Sequence, residues 1–179
     1  MIDEARAEQF ISELRAGQSL TAGFAAGTVA ALVSAGIWAV ITAATNFQIG
    51  WMAIGVGCLV GLAIRTFGKG IDKSFGIMGA VLAVLGCALG NLLSVCIIIS
   101  QQEGIAFLSV ISILNAEIIG ELMAITFHPM DVVFYALAVY AGHKFSVRQI
   151  SEEELSNLAP AEGQVSGAAA MQQDNGLTV

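Results

Sequence analysis

Charge is scarce in this sequence: Lys, Arg, Asp and Glu make up 12% of it, where a soluble domain carries about a quarter. With a mean hydropathy of +0.80, the chain has too little polar surface to stay dissolved, and a soluble globular domain is excluded. Positive charge is rarest, with 7 Lys and Arg against 14 Asp and Glu and a net charge of -7. No basic stripe exists, so a nucleic-acid partner is not expected. The 3 cysteines, Cys58, Cys87 and Cys96, lie in apolar runs without CxxC spacing, which suits small buried hydrophobes better than a disulfide framework or metal site. No Ser/His/Asp or Cys/His arrangement stands out, so neither an enzyme nor a cofactor is expected. The first apolar stretch has no cationic segment before it and is too long for a signal peptide, which leaves it in place as a membrane span.

What is present is a succession of long apolar runs, and they predict an all-α integral membrane protein. Residues 1–18 pattern as a cytoplasmic amphipathic helix, with Ala7, Phe10, Ile11 and Leu14 on one side and Gly17 to stop it. Residues 19–148 form the membrane domain, with spans expected at about 20–44, 49–68, 75–99 and 129–145. At about 1.5 Å per residue the longer runs cross a hydrocarbon core of about 30 Å. Ser19 is placed to cap the first span, the polar residues 45–48 turn into the second, and the basic connection Lys69–Ser74 leads to the third. The fourth is short, and Pro129 and Asp131 suit its first turn. Residues 105–127 are long enough to cross but carry Asn115, Glu117 and Glu121 near the middle. An acidic side chain at the centre of a span costs about 2.5–3.5 kcal/mol, so this stretch reads as an outer interfacial helix. Residues 151–179, rich in Glu, Ala, Gln and Gly, read as a disordered cytoplasmic tail.

Charge asymmetry points the same way. Four spans put Arg6, Arg15, Arg65, Lys69, Lys73, Lys144 and Arg148, all the Lys and Arg of the chain, on one side, which the positive-inside rule makes cytoplasmic. A fifth span would move Lys144 and Arg148 across. Trp38 and Trp51 are then expected near the outer interface.

Several residues invite a functional reading beside a plainer one. Gly57, Gly61, Gly79, Gly86 and Gly90 recur at helical spacing, which suits close packing of helices within the chain or between copies. Gly55-Val56-Gly57 has no strand before it, so a nucleotide fingerprint is rejected. The turn Phe67-Gly68-Lys69-Gly70 with Lys73-Ser74 lacks the GKS tripeptide of a phosphate loop. Arg65, Lys69 and Lys73 are expected as interface anchors touching lipid headgroups. Glu117, Glu121, His128 and Asp131 form the one outer cluster able to hold a cation, against the plainer reading of solvated carboxylates and a helix-capping Asp131.

The runs Asn46-Phe47-Gln48-Ile49-Gly50-Trp51-Met52-Ala53-Ile54-Gly55-Val56-Gly57 and Arg65-Thr66-Phe67-Gly68-Lys69-Gly70, with His128-Pro129-Met130-Asp131 and Lys144-Phe145-Ser146, resemble a family of small uncharacterised bacterial inner-membrane proteins over about residues 20–148. The resemblance implies a bacterial inner-membrane location. It implies no activity, so no functional residue carries over. Some relatives have a zinc-ribbon-like module ahead of the membrane part, which this chain does not have. The expectation is a non-enzymatic membrane module that forms a homo-oligomer or docks a membrane-protein partner within the lipid bilayer. The alternative is a small oligomeric channel or transporter for cations.

Overall fold

The computed structural model describes residues 4–45 and 50–150. The expected tail at 151–179 and most of the polar turn at 45–48 lie outside the described residues. Everything regular among the described residues is helical: α1 (Glu4–Ala16), α2 (Leu20–Thr45), α3 (Met52–Gly68), α4 (Lys73–Glu103), α5 (Phe107–Ser112), α6 (Ala116–Thr126) and α7 (Pro129–Ser146). The first helix belongs to one compact unit and residues 18–148 to another. Within α1, Gln9 Nε2 donates to Glu13 Oε1 at 3.3 Å, and the Gly17 amide donates back to the Glu13 carbonyl at 3.1 Å.

In the larger unit, α3 and α4 pack against each other, with α2 against both and α7 against both. The backbone fixes the direction of each helix. The Ser19 amide, just before α2, donates to the Gly68 carbonyl at the end of α3 (2.9 Å), and the Arg148 amide, just after α7, donates to Gly70 (2.8 Å). Gln18 Oε1 accepts from the amides of Ile71 and Asp72, just before α4. So α2 and α4 start at the end where α3 and α7 finish, and the four helices alternate in direction. The Ser19 hydroxyl caps α2, accepting from the Ala22 amide at 3.2 Å.

Glycine sets the spacing between these helices. A Cβ on Gly57 would lie 2.5 Å from the Ala138 carbonyl oxygen and 3.0 Å from the Ala141 Cβ. One on Gly61 would meet the Phe145 Cβ at 2.7 Å, and one on Gly142 would meet the Gly79 carbonyl at 2.5 Å. Gly79 faces Ser146 and Gly142 in turn, and Gly86 faces Val56 and Ala31. Gly90 makes room for Trp38, which is only 2% exposed. With no side chain at 90, the indole turns inward. Trp51 is 72% exposed.

Between α4 and α7 the chain departs from the expected single helix at 105–127. Gly104, with φ of 64°, ends α4, and the interval holds two helices with a break before Asn115. The cause is the Asn115 side chain, whose oxygen accepts from the Ile118 amide at 2.8 Å and starts α6 as its cap. Between α6 and α7 the axis bends by 104°. His128 there has ψ of 154°, the extended conformation that a following proline imposes.

Two helices, α2 and α4, are long and apolar enough to cross a membrane; α6 and α7 count as a third if the bent pair is taken as one span, and α3 is a shorter apolar helix. Gly57 and Gly55 separate packing from helix propensity. Gly57→Ala is expected to lower stability by about 1–3 kcal/mol through overpacking. Gly55→Ala, whose Cβ would meet nothing within 4 Å, is expected to gain up to about 1 kcal/mol of helix propensity. Thermal unfolding in detergent, followed by circular dichroism, gives both signs.

Candidate functional site

The end of the bundle where α4 finishes and α7 begins carries Glu103, Glu117, Glu121 and Asp131, and the opposite end carries Arg65, Lys69, Lys73, Lys144 and Arg148. The four residues expected as a cation site all lie at the acidic end, but the fold does not gather them. Glu117 and Glu121 are exposed on α6. Asp131 is 9% exposed, and its Oδ2 accepts from the His128 amide at 2.8 Å. The His128 ring contacts the Thr126 carbonyl through Nδ1 at 3.0 Å. His128 and Asp131 therefore serve the start of α7, a reciprocal helix-start arrangement. Among the described residues no group of three His, Cys, Asp or Glu side chains could hold a metal ion.

Near this end the interior holds several polar atoms. Asn91 donates to the Thr126 hydroxyl at 3.4 Å, tying α4 to α6. The buried Trp38 Nε1, Thr42 Oγ1 and Tyr135 hydroxyl have no hydrogen-bond partner among the described residues. Thr42 breaks a pattern, because Thr28, Ser34, Thr45, Thr66, Ser94, Thr126 and Ser146 all donate to the carbonyl four residues earlier. Such back-bonding keeps a hydroxyl satisfied inside an apolar helix. Two of the three cysteines, Cys87 and Cys96, are buried, Cys58 is half-buried, and all three are free.

At the basic end Arg65, Lys69 and Lys73 are exposed. Lys144 Nζ donates to the Tyr140 hydroxyl at 3.2 Å and lies 5.4 Å from its ring centre. The five glycines expected to serve packing, Gly57, Gly61, Gly79, Gly86 and Gly90, are all buried inside the unit, and so face neighbouring helices of the same chain.

The outward surface is apolar, and it carries a groove of about 720 Å³ between α2 and α3. Its floor is the row Ala22, Ala26, Ala30 and Ser34, one residue per turn on α2, with Ala63 from α3. Val29, Val33, Leu59, Leu62 and Phe67 wall it. The two hydroxyls that line it are satisfied within their own helices: Ser34 donates to Ala30 at 2.6 Å and Thr66 to Leu62 at 2.7 Å. A smaller recess at Ile37, Met52 and Gly55 shares Ser34 and Leu59 with the groove. The small-residue row was readable in the sequence from its four-residue spacing, although the glycines draw attention first. No protein-family model, curated protein or solved structure matches the chain.

Two expected outcomes follow for the acidic end. Asp131→Ala is expected to lower stability by about 1 kcal/mol through loss of the cap, while Glu117→Gln with Glu121→Gln stays within about 0.5 kcal/mol of the parent. Urea unfolding in micelles measures both, and a joint loss exceeding the sum would show that the acids act as one unit. Thr42→Val, which removes an unpartnered buried hydroxyl without changing shape, is expected to leave stability unchanged or raise it by about 1 kcal/mol. A loss above that in the same assay would reveal a partner for the hydroxyl.

Proposed function

We propose that this chain is a four-span bacterial inner-membrane protein with both termini in the cytoplasm, acting without catalysis as a module that associates with a second copy of itself inside the bilayer. Helix direction supports the span count. If α2 and α4 both cross, and both start at the basic end, the chain must return between them, and α3 is the element available. At about 1.5 Å per residue α3 is about 26 Å long, and α7, returning beside it, about 27 Å. Both suit a core of about 30 Å with slight thinning or protein-covered ends. The cations then share one face, which is cytoplasmic by the positive-inside rule. On the outer face α5 and α6 lie at the interface, with Leu108 and Ile125 more than three-quarters exposed beside Glu117 and Glu121. The sequence resemblance to a bacterial inner-membrane family agrees with this placement.

The observation that carries the functional part is the α2/α3 groove. Lipid is as apolar as leucine, so helices associate in it through close backbone approach and van der Waals fit. The row at Ala22, Ala26, Ala30 and Ser34 lets another helix come near. The buried glycines already serve contacts within the chain, so this groove is the small-residue surface left for a second copy.

Two measurements test the proposal. With Cys58, Cys87 and Cys96 replaced by serine, Ile71→Cys and Val147→Cys are expected to react with an impermeant maleimide only after cells are opened, and Glu103→Cys in intact cells. Reaction of positions 71 and 147 from opposite faces would refute four spans. In liposomes, single-molecule photobleaching is expected to show dimers or larger assemblies that Ala26→Phe with Ala30→Phe converts to monomers. A parent chain monomeric at every protein-to-lipid ratio would sink the association.

A further inference from the structure

The basic end of the bundle is arranged around one turn. Gly68 closes α3, Lys69, Gly70, Ile71 and Asp72 connect it to α4, and this stretch is held by three residues: Ser19 donates to Gly68, Arg148 donates to Gly70, and Gln18 accepts from Ile71 and Asp72. Gln18 also donates through Nε2 to Asp72 Oδ2 at 3.0 Å. Asp72 is the one carboxylate at this end of the 18–148 unit, and it is half-buried and turned onto Gln18. Arg65, Lys69 and Lys73 stay exposed around the turn, and none makes an ion pair among the described residues.

Lys69 is unusual in its backbone. With φ of 51° it is the one non-glycine residue at positive φ among the described residues. Its amide closes α3 by donating to the Arg65 carbonyl at 3.1 Å. A helix ending of this kind is where glycine is most favoured, since glycine adopts the left-handed conformation without steric cost. Glycines stand on both sides, at 68 and 70, yet the strained position itself carries a lysine. A strained residue held in place by its surroundings is a pointer to a role for its side chain.

We propose that this turn is a docking surface for anionic phospholipid, with Lys69 and Lys73 meeting the headgroup phosphate and Arg65 one turn back on α3 adding to the field. Charge complementarity selects the partner. The end face presents Arg65, Lys69, Lys73, Lys144 and Arg148 against the single carboxylate of Asp72, while the remaining acids of the unit, Glu103, Glu117, Glu121 and Asp131, lie at the other end. The apolar helices that lead to the turn place it at headgroup depth, so an anion already held in the bilayer plane reaches it without leaving the membrane. A cationic side chain near an anionic leaflet contributes about 1 kcal/mol, or about fivefold in affinity. The inference rests on the membrane placement proposed above; retention of the chain in carbonate-washed membranes tests that placement separately.

The experiment uses the full-length chain in neutral detergent micelles, titrated with phosphatidylglycerol or phosphatidylcholine, with bound lipid counted by native mass spectrometry. Phosphatidylglycerol is expected to bind the parent more tightly than phosphatidylcholine. Lys69→Gly is expected to weaken phosphatidylglycerol about fivefold while raising the melting temperature, because glycine relieves the backbone and removes the charge. Adding Lys73→Gln is expected to bring the loss to roughly 25-fold. Opposite movement of stability and affinity in Lys69→Gly separates loss of the site from loss of the fold. Equal binding of the two lipids, an unchanged preference in the double variant, or displacement of lipid by millimolar inorganic phosphate would overturn the proposal, the last by making this a site for a soluble anion.

Discussion

Backbone meets backbone where α3 and α4 pack against α7, and the rest of the bundle depends on that approach. Gly57 lies against Ala138, Gly61 against Phe145, and Gly79 against Gly142, so the helices approach closely there. Dispersion between closely spaced atoms is small per pair and large in sum. In a hydrocarbon solvent, where apolar burial contributes little, it is the main force that holds helices together. The same approach has a geometric result. It seats Ala138, Ala141 and Gly142 in the interior, sets α7 antiparallel to α4, and brings Arg148 to the turn at Gly70.

From this packing comes the separation of charge between the ends. Helices that alternate in direction bring the close of α3 and of α7 to the opening of α4, and these are the places where the sequence puts its basic residues. Acidic residues gather at the other end for the complementary reason, following α4 and opening α6 and α7. The result is a bundle whose two ends differ in sign while its sides are apolar.

At the acidic end the residues that looked like one cluster have separate tasks. Asp131 and His128 are committed to each other at the opening of α7, and Asn115 opens α6, while Glu117 and Glu121 face outward. Short polar side chains near helix starts satisfy amides that have no partner inside the helix. That requirement explains their presence without a ligand. Thr42, Trp38 and Tyr135 are different, since each has a buried polar atom that nothing satisfies among the described residues, and the helix-start argument does not reach them.

Helix content and the course of α2, α3, α4 and α7 were legible in the sequence because long apolar runs, Ser19, Pro129 and the cations at run ends are local signals. The preference for a lipid environment is equally local, since it follows from composition. Tertiary structure decided what the local pattern leaves open: that Trp38 turns into a space left by Gly90, that Asn115 divides residues 105–127 into two helices, that the glycine faces meet within one chain and leave the alanine row of α2 outward, and that Lys69 occupies a glycine-like turn. Spacing along a chain specifies which residues share a helix face. Only packing specifies which other face they meet, because that depends on contacts between residues far apart in sequence.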